Sequence, residues 1–296
     1  MSANISSQII RPSPFSIPNN RGNTISIILL ADAPAELRAP FRSVVKLMLE
    51  NVIIKSKIHL DVIVATRKDD DELIQYFVQW NDALNHVFSV STIIKDVKKG
   101  HLLADAVKRS WGDILVFLTP GFIIDRQAFV RGQINQSWLM MRNGISLIRG
   151  YYGVSNAVNE QFGSAGTVSS PPYVLPPDER TSVGGLKEYS YYFPFRHLST
   201  IRVRKSFLLP HLDFLSNFDE ALDVAVGALA IYEAVRIKTT SLPFVNMLTA
   251  PAVNIEKVKE EVSVMKKYFS DMNDYTGRMY FDYLQGVMND VERGNY

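Results

Sequence analysis

The chain has no cysteine among its 296 residues, which excludes disulfides, thiolate metal sites and cysteine nucleophiles and leaves the fold to rest on packing. A cytoplasmic setting is the expectation that fits. Charge of one sign is also missing: 32 Lys and Arg stand against 30 Asp and Glu, for a net charge of +2. That balance points neither to nucleic acid nor to an anionic membrane. Long apolar runs are absent too. The longest, such as Ile25 to Ala31 and Ile114 to Leu118, fall far short of the roughly 20 residues needed to span a bilayer, so no transmembrane segment is expected. Residues 1–23 lack the basic start and continuous apolar stretch of a signal peptide, and their Pro, Ser and Asn content predicts an extended arm. Walker, dinucleotide, nucleophile-elbow and zinc-ligand patterns are not found.

What is there is 47% hydrophobic content, enough to bury one large core. Thr24 to Leu30 reads as a buried strand, followed by a turn at Asp32-Ala33-Pro34 and an amphipathic helix carrying Phe41, Val44, Val45, Leu47 and Met48. His59 to Ala65 is a second strand, with a charged loop over Thr66 to Glu72 and helical periodicity from Leu73 to Leu84. Val87 to Ile94 is a third strand. Alternation of this kind predicts an α/β fold with a mostly parallel central sheet flanked by helices. A helix over about 127–141, strands at Ile145 to Gly150 and Ser199 to Val203, a helix at Glu220 to Val235 and an edge strand at Ile237 to Leu242 limited by Pro243 complete the expectation. The Gly-, Ser- and Pro-rich stretch 159–189 reads as a long loop, with a lid and a disordered segment both open. An aromatic cluster, Tyr189 to Phe195, follows it. Core packing or stacking on a sugar or base are its two readings.

Residues 251–296 form a C-terminal helical extension to the main domain at 24–250. Ile255, Val262 and Phe269 fall seven apart, as do Val258, Met265, Met272 and Met279, which marks a heptad seam. The seam packs either on its own domain or against a second copy in a homodimer.

Residues 98–125, KKGHLLADAVKRSWGDILVFLTPGFIID, carry the most information. A helix with Leu102, Leu103, Ala106 and Val107 leads through Gly112-Asp113 into the buried strand Ile114 to Leu118, which ends at Thr119-Pro120-Gly121. In α/β sheets ligands bind beyond the carboxyl ends of the strands, so these three residues belong at the mouth of a site. The spacing of Gly100, Ala104, Asp105, Ala106, Gly112 and Asp113 resembles the centre of the family 2 glycosyltransferases of GT-A fold. In that family the strand ends in Asp-x-Asp, which holds a divalent metal against the diphosphate of a nucleotide sugar. Here the matching positions are Thr119, Pro120 and Gly121, so no metal ligand, no divalent metal and no other cofactor are expected.

The resemblance implies a nucleotide-sugar donor, a glycan or other hydroxyl acceptor, and transfer with inversion. It places donor contacts at Asp32, Asp71, Asp105, Thr119 and Gly121. The family's acidic pair after the second strand meets Thr66 and Arg67 here, and Asp71 alone keeps the acid; its other reading, with Asp69, Asp70 and Glu72, is a solvated first helical turn. Asp223 matches the catalytic base, which would take the acceptor's proton. First-turn stabilisation of a helix is the alternative for Asp223, as capping is for Asp219 and Glu220. With the metal gone, diphosphate charge falls to Arg202, Arg204 or Lys205, of which the two arginines also fit a solvated strand edge. The lost acids equally fit a catalytically inactive GT-A-like domain kept for interaction or scaffolding.

Overall fold

The computed structural model describes residues 24–48, 58–80, 88–125, 129, 145–154, 167–168, 197–233, 235, 237–249, 252–269, 272 and 274–293. The arm at 1–23, the helix expected over about 127–141 apart from Phe129, the loop at 159–189 apart from Thr167 and Val168, and the Tyr189 to Phe195 cluster lie outside the described residues.

The first half alternates as expected: β1 (Thr24–Ala31), α1 (Arg38–Met48), β2 (His59–Thr66), α2 (Asp71–Val78), β3 (Phe88–Ile94), α3 (Lys99–Arg109) and β4 (Ile114–Leu118). The second half adds β5 (Phe122–Ile124), β6 (Leu147–Val154), β7 (Thr167–Val168), β8 (Ile201–Arg204), α4 (Lys205–Leu208), α5 (Leu212–Leu215), α6 (Leu222–Tyr232), β9 (Ile237–Met247), α7 (Ile255–Tyr268) and α8 (Asp274–Glu292). One sheet runs β3-β2-β1-β4-β8-β6-β9-β5, with β7 paired to β6. Strands β3, β2, β1 and β4 are mutually parallel, as is the β6–β9 pair, while β8, β5 and β7 join antiparallel.

Alternation along β1 sorts its side chains between two layers. Ile25, Ile27 and Leu29 face α1 and α2 through Phe41, Val44, Leu73 and Phe77, whereas Ile28 and Leu30 face α3, α6, α7 and α8. Both faces of the parallel strands are therefore covered, which is why β4 reads as an unbroken apolar run, Ile-Leu-Val-Phe-Leu, buried throughout. A polar ladder crosses this core. Asp61 on β2 accepts from Ser26 Oγ (2.7 Å), Ser89 Oγ (3.3 Å) and the Trp111 N–H (2.9 Å). Burial pushes the Asp61 carboxyl up, against the pull of those bonds and of Lys205.

Two sequence expectations are corrected. Strand β9 is not an edge ending at Pro243; it lies between β6 and β5 and continues to Met247. The missing proline N–H is absorbed by an irregularity in register, since Pro243 stands opposite Tyr151 where the β6–β9 pairing shifts. Likewise the heptad seam is broken between α7 and α8, which fold back on each other, with the Tyr280 hydroxyl donating to the Met265 carbonyl at 2.8 Å. Val258, Val262, Met265 and Met279 pack in the same core as α3 and α6. The seam thus packs on its own chain.

Candidate functional site at the carboxyl ends of the parallel strands

In the strand order the connections reverse direction between β1 and β4, so the crevice for a ligand opens beyond Ala31 and Leu118. Thr119-Pro120-Gly121 closes β4 as a tight turn: Pro120 is followed by Gly121 at φ 83°, and the Phe122 N–H donates to the Thr119 carbonyl at 3.2 Å. Proline then glycine at positive φ is the chemistry of a type II turn. A Cβ on Gly121 would stand 2.3 Å from the Thr249 carbonyl oxygen. Several of the turn's donors and acceptors are engaged within the chain. Thr119 N–H and Oγ1 lie 3.0 and 2.9 Å from Ser199 Oγ, and the Gly121 carbonyl accepts the Leu248 N–H at 2.8 Å. A divalent cation needs several free oxygen ligands, usually carboxylates. This turn has no carboxylate, and among the described residues no three His, Asp or Glu side chains gather into a metal-binding group. Among the described residues the turn supplies no ligand set for such a metal.

Beside the turn lies a network of charges that the sequence reading did not assemble. Arg67, immediately after β2, pairs with Asp32, immediately after β1, at 3.2 Å, and with Asp219. The Arg67 and Lys68 N–H groups donate to the Asp32 carbonyl at 3.2 and 3.0 Å, tying the two strand ends together. Asp219 stands in the turn before α6, its side chain 2% exposed. Besides Arg67 it receives Lys257 from α7 and, at 2.9 Å, the Lys99 N–H at the start of α3. Lys98, the residue preceding α3, supplies no side-chain cap, so an acid 120 positions away serves the orphan amide at that end. Burial alone would push the Asp219 carboxyl up; bonding from Arg67, Lys257 and the Lys99 amide outweighs it and holds the group well below the usual carboxylate range. Lys99 Nζ extends the network to Glu220 at 3.0 Å and approaches Asp32 at 3.8 Å.

A second buried acid secures the same turn. Glu261 of α7 accepts the N–H groups of Asp219, Glu220 and Ala221 at 2.8, 3.0 and 2.8 Å. Ala221 precedes α6 with no side chain able to cap it, so Glu261 caps α6 from another helix. Gly100 lets the turn come close: its N–H donates to the Phe218 carbonyl at 3.0 Å, and a Cβ there would stand 2.1 Å from the Leu215 carbonyl oxygen.

The residues singled out by sequence are spread by the fold. Asp32, Thr119 and Gly121 do lie at the mouth. Asp71 is exposed in the first turn of α2, behind the cap Asp70, whose side chain accepts the Leu73 N–H at 3.1 Å; this is the solvated-turn alternative. Asp105 is half-buried on α3 and pairs with Lys95. Asp223 is buried in the first turn of α6, its Oδ1 accepting the Val224 N–H at 2.8 Å. Arg202, Arg204 and Lys205 need correction. Arg202 is not on a solvated edge, because β8 runs between β4 and β6. Its guanidinium is buried, donates to the Ser199 and Ile201 carbonyls at 3.3 and 3.0 Å, and has its pKa pulled down by burial to about 9. Antiparallel pairing sets Arg204 opposite Ile114, the first residue of β4, and Lys205 bonds the Ser110 carbonyl. Both stand at the amino end of the parallel strands, away from the Thr119 turn, and cannot share a diphosphate with it.

The fold is that of a GT-A-like α/β protein with a C-terminal helical extension. No protein-family model matches the chain, and no curated protein matches it. Solved structures do. S. aureus TarS 1–349 in complex with UDP-GlcNAc superposes with a TM-score of 0.61 at 14% identity, covering 90% of this chain and 73% of that one. A longer S. aureus TarS structure gives 0.59 at 14% identity; this chain spans only 43% of its length. The mannosyltransferase PcManGT from Pyrobaculum calidifontis, in complex with GDP-Man and Mn2+, gives 0.52 at 10% identity, covering 92% of this chain and 70% of that one. At these identities the likeness is one of fold.

Proposed function

We propose that this chain is a glycosyltransferase-like protein related to family 2, which takes a nucleotide sugar at the carboxyl ends of β1, β2 and β4 and transfers the sugar to a hydroxyl with inversion. The observation that carries the reading is the gathering of Arg67, Lys98, Lys99 and Lys257 at that end of a GT-A-like sheet, beside a Thr119–Gly121 turn with no carboxylate. In the reaction an acceptor hydroxyl gives its proton to Asp223, its oxygen bonds the anomeric carbon, and the bond to the diphosphate breaks with its electron pair leaving on phosphate. Arg67 and the lysines supply positive charge for that leaving group, the task first expected of Arg202, Arg204 and Lys205. A cytoplasmic setting belongs to the same proposal and is supported by a chain without cysteine.

Calorimetry with UDP-GlcNAc, GDP-mannose and UDP, each with and without Mn2+, tests the reading. Heat of binding for at least one of them without metal is the expected result, and silence from all three overturns it. For a binding donor, Asp223→Asn is expected to slow transfer or donor hydrolysis by about 100-fold or more with little change in affinity.

A second reading, a domain without catalysis that serves interaction or scaffolding, is favoured by one observation. Three of the four cations at the mouth are already matched by acids, Arg67 and Lys257 by Asp219 and Lys99 by Glu220, and Lys98 donates to the Asn217 carbonyl. Donor turnover abolished by Asp223→Asn would exclude it.

A further inference from the structure

The C-terminal extension grips the candidate catalytic turn at two points one helical turn apart. Lys257 holds the Asp219 carboxylate, and Glu261, four residues on and so on the same face of α7, holds three consecutive amides. Ala221 has no side chain able to cap α6, and within the first turn Asp223 Oδ1 accepts the Val224 N–H, so the amides that lead into the helix fall to Glu261. The first turn of α6 carries Asp223, two residues beyond the last amide that Glu261 holds. Through Asp219 the same grip reaches Arg67 and the first amide of α3. A displacement of α7 therefore moves the start of α6 and, with it, the carboxylate of Asp223.

We propose that Glu261 is a positioning residue for the turn Asp219–Ala221: held in the core of the extension, it fixes where α6 begins and hence where the Asp223 carboxylate stands. Lys257 is its companion, fixing the side chain of the turn while Glu261 fixes the backbone. The inference rests on reading the turn as the acceptor side of a glycosyltransferase-like site, and its physical part can be measured without that reading.

The full chain is compared with Glu261→Ala, Glu261→Gln and Lys257→Met. Amide hydrogen exchange is followed in the turn and first residues of α6, with β1 and β2 as internal references, and donor hydrolysis is measured beside donor affinity. In Glu261→Ala, exchange at Asp219, Glu220 and Ala221 is expected to rise tenfold or more while β1 and β2 stay within twofold. Glu261→Gln, which keeps one acceptor oxygen, falls between. Lys257→Met loosens Asp219 with less effect on the three amides. Turnover by Glu261→Ala is expected to fall about tenfold in kcat with KM for the donor within twofold, since Lys257 still holds the Asp219 side chain and, through it, Arg67. Unchanged exchange at the three amides overturns the proposal, as does a rise shared equally by β1 and β2, or an equal loss of kcat in Glu261→Gln and Glu261→Ala. If the unaltered chain binds and turns over no nucleotide sugar, the functional reading fails, and the local exchange response still decides whether Glu261 fixes the turn.

Discussion

At Asp219 burial and bonding pull in opposite directions, and bonding wins by engaging both carboxylate oxygens: Arg67 and the Lys99 amide on one, Lys257 on the other. A carboxyl whose folded pKa lies below its unfolded value of about 4 contributes stability that is present above that value and lost as pH falls through the folded one. Asp219→Asn is accordingly expected to cost ~1–2 kcal/mol at pH 7, because it leaves the partly exposed Arg67 and Lys257 without their buried partner. The gap to the unaltered chain should narrow as pH drops from 4 towards 2. Urea midpoints of both proteins at pH 7, 4, 3 and 2.5 measure it, and a gap independent of pH would remove Asp219 as the ionic centre of the mouth. The sequence made Asp219 a candidate cap for the helix that follows it; in the fold it serves α3, 120 positions away. Local spacing identifies a capping residue type, and only tertiary placement decides which helix receives it. Arg67 was legible merely as a departure from an acid, because nothing adjacent to it announces Asp219.

Among the elements, those buried on both faces were the readable ones. Strand β4 matches its expected bounds because five consecutive apolar residues between Asp113 and Thr119 fit little else. Strands β8 and β9 were misplaced for a different reason: their lengths and residue types do not reveal lateral order, so Arg202 and Pro243 suggested edges where the sheet continues on both sides. The motif glycine of α3 gains a physical meaning from its neighbour. Gly100 faces the Leu215 and Phe218 carbonyls so closely that a methyl group has no room. Gly100→Ala should force the α5–α6 connection away from α3 and destabilise the protein by roughly 2–3 kcal/mol, even though alanine is the better helix former. Equilibrium unfolding in urea reads this directly, and a neutral or stabilising outcome would mean that the turn is not held against α3 in solution.

Across the whole molecule, the boundary at residue 250 is a boundary of chain order more than of packing. Val258, Val262, Met265, Tyr283 and Leu284 belong to the same apolar cluster as Ile28, Leu103 and Leu229. A chain ended at residue 250 should therefore lose fixed packing across the α3–α6 face of the sheet. Loss of near-ultraviolet circular dichroism together with strong binding of a hydrophobic dye would bear this out, and a cooperative unfolding transition in the shortened chain would refute it. The composition announced enough apolar residues for such a core, and the heptad seam announced that the last helices bury a stripe, but which surface receives the stripe is a three-dimensional fact.

The reliance of α6 on an acid 40 positions further along the chain also sets a timetable. During synthesis, a helix whose residues are buried from Leu222 to Ile231 leaves the ribosome before either its cap or the two helices that cover it exist. For that interval the nascent chain displays an apolar segment beside a half-covered sheet, the condition under which chains aggregate or recruit chaperones. The emergence of α7 and α8 thus decides when this face of the sheet becomes safe, and a ribosome stalled before Glu292 would hold a product poised to misfold.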